Sequence, residues 1–222
     1  MKSIAIDGPA GAGKSTISKM AAKELGYIYV DTGALYRAIG LFAIRSGVCT
    51  RDEKALAPLL EKIKIELRYI DGQQRILLNS EDVSEAIRSP EMSMAASDVS
   101  ALPAVRAFLL DLQRQMAERY NAIMDGRDIG TVVLPNADVK IFLTASAEAR
   151  AQRRYEEYLA KGTEVPYNDV LQDMRQRDHN DSTRAIAPLR PAEDAILLDT
   201  SKNTLEQSAE LVIKTIKEHV PQ

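Results

Sequence analysis

The chain has one cysteine, Cys49, no tryptophan, and two histidines, His179 and His219. A single thiol excludes an internal disulfide and a cysteine cluster for zinc, and the two histidines are not at a metal-ligand spacing. Cys49 is expected to be a packed thiol. No stretch from Met1-Lys2-Ser3 onward has the apolar length of a signal or membrane-spanning segment, so a cytoplasmic protein without a membrane partner is expected. There is also no run of one charge sign. The 29 Lys and Arg oppose 32 Asp and Glu for a net charge of −3, which lacks the basic stripe of a general nucleic-acid binder. The three Phe and eight Tyr are scattered, with no internal repeat or low-complexity tract. The tetrapeptide Asn-Lys-x-Asp, used by guanine-specific switches, does not occur. A motor would need more chain than 222 residues. A chain of this length buries roughly 70% of its unfolded surface, enough for one main domain with insertions.

What is present begins at Gly8-Pro9-Ala10-Gly11-Ala12-Gly13-Lys14-Ser15-Thr16, directly after the apolar run Ser3 to Ile6. This is the pattern G-x-x-x-x-G-K-S/T at the end of a strand, with a chance occurrence of roughly 1 in 100 in a chain of this length. The glycines permit a tight loop whose N–H groups converge on an anion, and the helix expected to begin near Gly13 adds its positive end. Lys14 supplies a mobile charge for the outer phosphates, and the Ser15 hydroxyl suits Mg2+.

Five short apolar segments, Ser3 to Ile6, Tyr27 to Val30, Ala122 to Met124, Val139 to Leu143 and Ala195 to Leu198, read as central parallel strands covered by helices. Between the first two, Lys14 to Leu25 reads as a helix with Ile17, Met20, Ala21 and Leu25 on one face. The fold expected is α/β, a P-loop fold with a five-stranded parallel sheet and ligands at the carboxyl ends of its strands. Asp7, Asp31, Asp125 and Asp199 each follow a strand. Asp199 reads as a cap or turn residue, whereas Asp7, Asp31 and Asp125 are better placed for function. Two insertions interrupt the sheet pattern. The first, about 48–100, holds the runs Ile63 to Tyr69 and Arg75 to Leu78 around Asp71-Gly72, a hairpin signal. The second, about 147–189, reads as a helical lid rich in arginine, including Arg150, Arg153, Arg154, Arg175, Arg177 and Arg184. From Ala147 to Arg190 eight Arg and Lys meet eight Asp and Glu, so it offers separate guanidinium forks, not a basic patch. The core is then about 1–47, 101–146 and 190–222.

Two arginine-bearing inserts beside a phosphate loop fit phosphoryl transfer to a small second substrate, with water excluded by closure. Such transfer asks for positioning and charge compensation, and Arg37 and Arg127 fall near strand ends where an acceptor phosphate could be held. The residues leave two other readings open: a P-loop kinase for another small acceptor, and a nucleotide-dependent RNA-binding switch. The switch would hydrolyse ATP without transfer and retain RNA in a salt-sensitive way.

Four motifs in order resemble bacterial cytidylate kinases, a family of nucleoside monophosphate kinases. They are Ile6-Asp7-Gly8-Pro9 with the phosphate loop, Asp31-Thr32-Gly33-Ala34-Leu35-Tyr36-Arg37, Asp125-Gly126-Arg127-Asp128-Ile129-Gly130-Thr131, and Arg177-Asp178 through Thr183-Arg184-Ala185. The resemblance spans nearly the whole chain. It implies an enzyme that moves the γ-phosphoryl group of ATP to CMP or dCMP with Mg2+, and that the first insertion binds CMP. By the same likeness Thr32 and Tyr36 line the monophosphate site, and Arg37, Arg127 and Arg184 hold the CMP phosphate. Ser97, Arg106 and Asp128 would recognise cytosine, and Arg177 with Asp181 would contact the ribose. Arg154 and Arg184 would close with the lid on the transferring phosphoryl, and Asp7 or Asp125 would orient Mg2+-bound water. A carboxylate matches the cytosine N4 amino donor and is repelled by the O4 of uracil. Small nucleotides are the expected partners, and the polar inserts suggest a monomer.

Overall fold

The computed structural model describes residues 1–70, 73–160 and 162–220. The chain divides into two compact units, one of Met1–Tyr29 with Ala117–Gln222 and one of Val30–Met116.

A five-stranded sheet holds β1 (Ser3–Asp7), β2 (Ile28–Asp31), β6 (Ala122–Gly126), β7 (Val139–Thr144) and β8 (Ile196–Asp199), in the order β2-β6-β1-β7-β8; all of it except Val30 and Asp31 of β2 belongs to the first unit. β1 pairs in parallel with β6 and β7, and β7 with β8. The first strand in sequence is the middle one; the chain leaves β1 toward β2 on one side, and leaves its neighbour β7 toward β8 on the other. The carboxyl end of β1 is therefore the switch point where an α/β sheet opens a crevice. Helices α1 (Lys14–Leu25) and α8 (Leu205–His219) bring Ile17, Ala21, Val212 and Ile216 onto Ile4, Ile6, Ile123, Ile141 and Leu143 to form the core. A capping box of Thr204 and Gln207 starts α8. Helices α6 (Ala147–Ala160) and α7 (Tyr167–Thr183) occupy the arginine-rich segment, and Tyr155 meets Tyr167 edge to face at 6.0 Å.

In the second unit α2 (Thr32–Arg45) is the axis. Around its Leu35 and Ile39 pack Leu56 of α3 (Glu53–Leu60), Val99 of α4 (Pro90–Ser100), Leu109 of α5 (Pro103–Arg119), and Ile76 of a three-stranded sheet. That sheet is β3 (Ile65–Ile70), β4 (Gln73–Leu78) and β5 (Glu81–Asp82), antiparallel throughout. The Asp71-Gly72 pair expected at its hairpin lies outside the described residues. Gly40 lets α4 approach closely, because a Cβ there would come within 2.8 Å of Ala95 Cβ.

Three local expectations are corrected. Tyr27 to Val30 and Ala195 to Leu198 were expected as central strands, but β2 and β8 are the two edges of the sheet, and Leu197 is 64% exposed because it points to the opposite face from Ile196 and Leu198, which pack against the core. Met20 was expected on the buried face of α1 but is exposed, since Ile17 and Ala21 already fill the contact with the sheet. Cys49 is exposed, not packed: it lies in the turn between α2 and α3, where its carbonyl accepts from Asp52 N–H. Ser97 and Arg106 sit on separate helices, α4 and α5, with Pro103 opening the second.

Candidate active site

The phosphate loop leaves β1 at Gly8, whose φ is +147°, and passes through Gly11 (+73°) and Gly13 (+83°). At Gly8 a Cβ would fall 1.9 Å from the backbone oxygen of Leu143 on β7, so glycine is required by contact as well as by conformation. Gly13 stands at the N-cap of α1 and provides no side-chain cap, as suits a helix N-terminus that meets an anion. Lys14 is buried, and its Nζ donates to Pro9 O at 2.6 Å, folding the side chain back over the loop. Burial, then the nearby Arg127 charge, hold its ammonium well below the usual lysine range, with Asp125 and Asp7 pulling the other way. Incoming phosphate charge would favour the protonated form. Thr16 is exposed, while Pro9 and Ala10 are buried.

Ser15 Oγ donates to Asp125 Oδ2 at 2.7 Å, and Tyr29 OH donates to Asp125 Oδ1 at 3.0 Å. Among the described residues no group of three or more His, Cys, Asp or Glu side chains could hold a metal ion. Mg2+ keeps several waters and takes few protein oxygens. Ser15 as direct ligand and Asp125 beside it fit this need.

Asp7 is held differently. Its two oxygens accept from Ile129 N–H at 2.8 Å and Gly130 N–H at 2.7 Å, fastening the π-helical turn Ile129–Val133 that follows Arg127 and Asp128. Burial pushes the Asp7 carboxyl up to about 6, against the lowering effect of those two N–H groups. Asp7 is thus committed to the loop after β6, while Asp125 faces Ser15.

The side chains beyond β6 meet α7 and its exit. Arg127 Nε donates to Asp181 Oδ2 at 2.9 Å, and Arg177 Nε lies 3.9 Å from the same oxygen. Arg184 Nη2 donates to Asp128 Oδ1 at 3.3 Å, while its Nε donates to Ala187 O at 2.6 Å. The structure therefore brings together Arg127, Asp128, Arg177, Asp181 and Arg184, which come from two motifs far apart in sequence. Arg154 pairs along α6 with Glu157 at 3.6 Å and sits over the Tyr158 ring.

Arg150 has a role that the sequence did not single out. Buried at the start of α6, it donates from Nη1 to Ala10 O of the phosphate loop at 2.9 Å and from both Nη atoms to Asp178 of α7. One guanidinium thus ties the phosphate loop to both helices of the arginine-rich segment. Tyr29 was missed as well, since a strand tyrosine has no local signature. Arginine spacing alone could have marked Arg150 but not told it from its neighbours.

In the second unit, Asp31 caps α2 by accepting from Ala34 N–H at 2.9 Å, and its Oδ2 lies 3.7 Å from Arg37 Nη1. Thr32 and Tyr36 are buried in the first turns of the same helix. Arg106 stacks over the Tyr36 ring at 5.8 Å and donates to Ser100 O at 3.2 Å, and Ser100 Oγ donates to Ser97 O. The predicted residues of this unit are thereby grouped on α2, α4 and α5.

A phosphate loop at the switch point of a parallel sheet, a buried lysine on that loop and a hydroxyl–carboxylate pair beside it define a P-loop phosphotransferase. The chain belongs to the cytidylate kinase family, whose model matches residues 4–218. Cytidylate kinase of Caldicellulosiruptor bescii is 51% identical, covering 98% of each chain. That of Caldicellulosiruptor saccharolyticus is 52% identical over 95% of this chain and 93% of its own. In fold, the chain is similar to an uncharacterized protein from Eubacterium ventriosum, with a TM-score of 0.51, 12% identity, and coverage of 98% and 99% of the two chains.

Proposed function

We infer that this chain transfers the γ-phosphoryl group of ATP to CMP or dCMP, giving ADP and CDP or dCDP. The observation that carries the reading, beside family membership, is buried Lys14 at the start of a helix whose first N–H groups no side chain of its N-cap takes up. In this reading residues 8–16 bind the ATP phosphates, and Lys14 follows the phosphoryl group as it moves. Ser15 would hold Mg2+, with Asp125 orienting its water. Mg2+ supplies charge neutralisation on the outer phosphates.

Arg37, Arg127 and Arg184 would take the CMP phosphate. Thr32 and Tyr36 would border it, Arg177 with Asp181 would contact the ribose, and Ser97, Arg106 and Asp128 would read cytosine. The attacking oxygen belongs to a phosphate monoester that is largely dianionic at neutral pH, so no general base is required. Arg154 and Arg184, in a lid of about residues 147–189, would neutralise the equatorial oxygens, and the insertion of about 48–100 would serve the acceptor. We place the protein in the cytoplasm as a monomer. Among the described residues no helix is long and apolar enough to cross a membrane.

The test is ADP formation together with acceptor phosphorylation, using ATP and Mg2+ with CMP, dCMP, UMP, AMP, GMP or no acceptor. Fast transfer restricted mainly to CMP and dCMP is expected. ATP hydrolysis alone, or inactivity with every monophosphate, would overturn the reading.

A further inference from the structure

Arg37 is a long side chain on a helix, and its aim must be set by something else. Asp31 touches it: Oδ1 is occupied by the α2 cap, while Oδ2 lies 3.7 Å from Arg37 Nη1 and 3.4 Å from Arg88 Nη1. Arg88 ends the short 3-10 turn Ala86–Arg88. The main chain of Asp31 is held in turn by Gln74 of β4. Asp31 N–H donates to Gln74 Oε1 at 2.9 Å, and Gln74 Nε2 donates to Asp31 O at 3.3 Å. One carboxamide thus engages both backbone groups of a single residue, as an adjoining strand would.

We propose that Gln74 and Arg88 are positioning residues for the phosphoryl acceptor, acting through Asp31 to set Arg37 and the first turn of α2. The proposal rests on the reading of this chain as a monophosphate kinase. Its physical logic lies in the distances. Contacts of 3.4 and 3.7 Å are longer than the 2.7–2.9 Å of a tight charge-assisted bond, so two guanidiniums share one oxygen and neither is locked to it. Arg37 can therefore turn to a dianionic phosphate while Arg88 continues to compensate Asp31. Without Arg88, Asp31 competes for Arg37 as its remaining guanidinium. Without Gln74, the residue that carries this carboxylate loses its backbone anchor. Both groups come from the inserted segment, which gives that segment a mechanical role in acceptor binding.

The experiment measures KM for CMP, KM for ATP, kcat and thermal midpoint in the wild type, Gln74→Leu, Arg88→Met, Arg88→Lys, Arg37→Met and the Arg37→Met/Arg88→Met double variant. Arg88→Met is expected to raise KM for CMP about tenfold with KM for ATP within twofold, and Arg88→Lys to restore most of the loss. In the Arg37→Met background the further effect of Arg88→Met should fall below twofold, a coupling that general destabilisation would not produce. Gln74→Leu should show the same CMP-selective rise; if it does not fold, the Arg88 series decides. Equal shifts in both KM values, no shift, or full multiplication of the Arg37 and Arg88 effects overturns the positioning role. Inactivity of the wild type toward every monophosphate instead overturns the kinase reading and the proposal with it.

Discussion

Ser15 Oγ and Asp125 Oδ2 stand 2.7 Å apart, joining the first turn of α1 to the end of β6 across 110 residues of sequence. The hydroxyl and carboxylate form one polar unit, with Tyr29 bonded to the second carboxylate oxygen. Asp125→Asn should raise the Mg2+ concentration needed for half-maximal activity at least about tenfold, because the carboxylate charge beside the ion is lost. A Mg2+ titration of ADP formation checks this. Tyr29→Phe, which removes only one hydrogen bond to Asp125, should shift the midpoint far less.

Lys14 is folded over the phosphate loop and surrounded by protein, so its charge acts at low dielectric. Lys14→Met should lower turnover by about a thousandfold or more, while the fold persists by circular dichroism. Near wild-type turnover would remove the basis for the phosphate-loop assignment.

Asp128 is buried and meets Arg184 at 3.3 Å. Asp128→Ala should reduce the ratio of kcat/KM for CMP over UMP and leave KM for ATP nearly unchanged. Its cost with CMP includes the loss of the Arg184 contact, so the ratio of the two acceptors is the informative quantity. An unchanged CMP/UMP preference would count against a base-reading role.

The Asp7 carboxyl, raised from 3.8 to about 6 by burial, gives a signed prediction. Between those values the folded state holds a proton that the unfolded state has released, so this contribution to stability is full below about pH 3.8 and lost as pH rises through about 6. The size is on the order of 3 kcal/mol. Other carboxylates, among them Glu66 and Asp194, are shifted downward and titrate with the opposite sign. The difference in unfolding free energy between the wild type and Asp7→Asn isolates Asp7: it should favour the wild type most near pH 4 and least above pH 6. Denaturant unfolding across that range supplies the measurement, and a flat difference would refute the shift.

The strand-loop-helix around Gly8 to Thr16 and the strands of the parallel sheet were legible in the sequence because each depends on neighbours within a few residues. Gly8 to Thr16 follows its strand directly, and a run such as Val139 to Leu143 reports its own burial. The four motifs likewise lie in contiguous stretches, which is why they could be matched to a family. Exposure was less legible: Met20 has the same helical spacing as Ile17 and Ala21, and only the packing of the sheet against α1 decides which of them it covers.

The partners of the charged side chains were decided by tertiary structure alone. Sequence marked Arg127 and Asp181 as separate residues of interest, but their 2.9 Å bond spans 54 positions. The Gln74 contacts with Asp31 span 43, and Arg150 reaches Ala10 across 140. Long polar side chains have many rotamers and no periodicity that records their destination. Local chemistry therefore marked the glycine-rich loop after β1, while the meeting of distant strand ends and helices decided which carboxylate faces Ser15, which fastens the loop after β6, and which arginines share a partner.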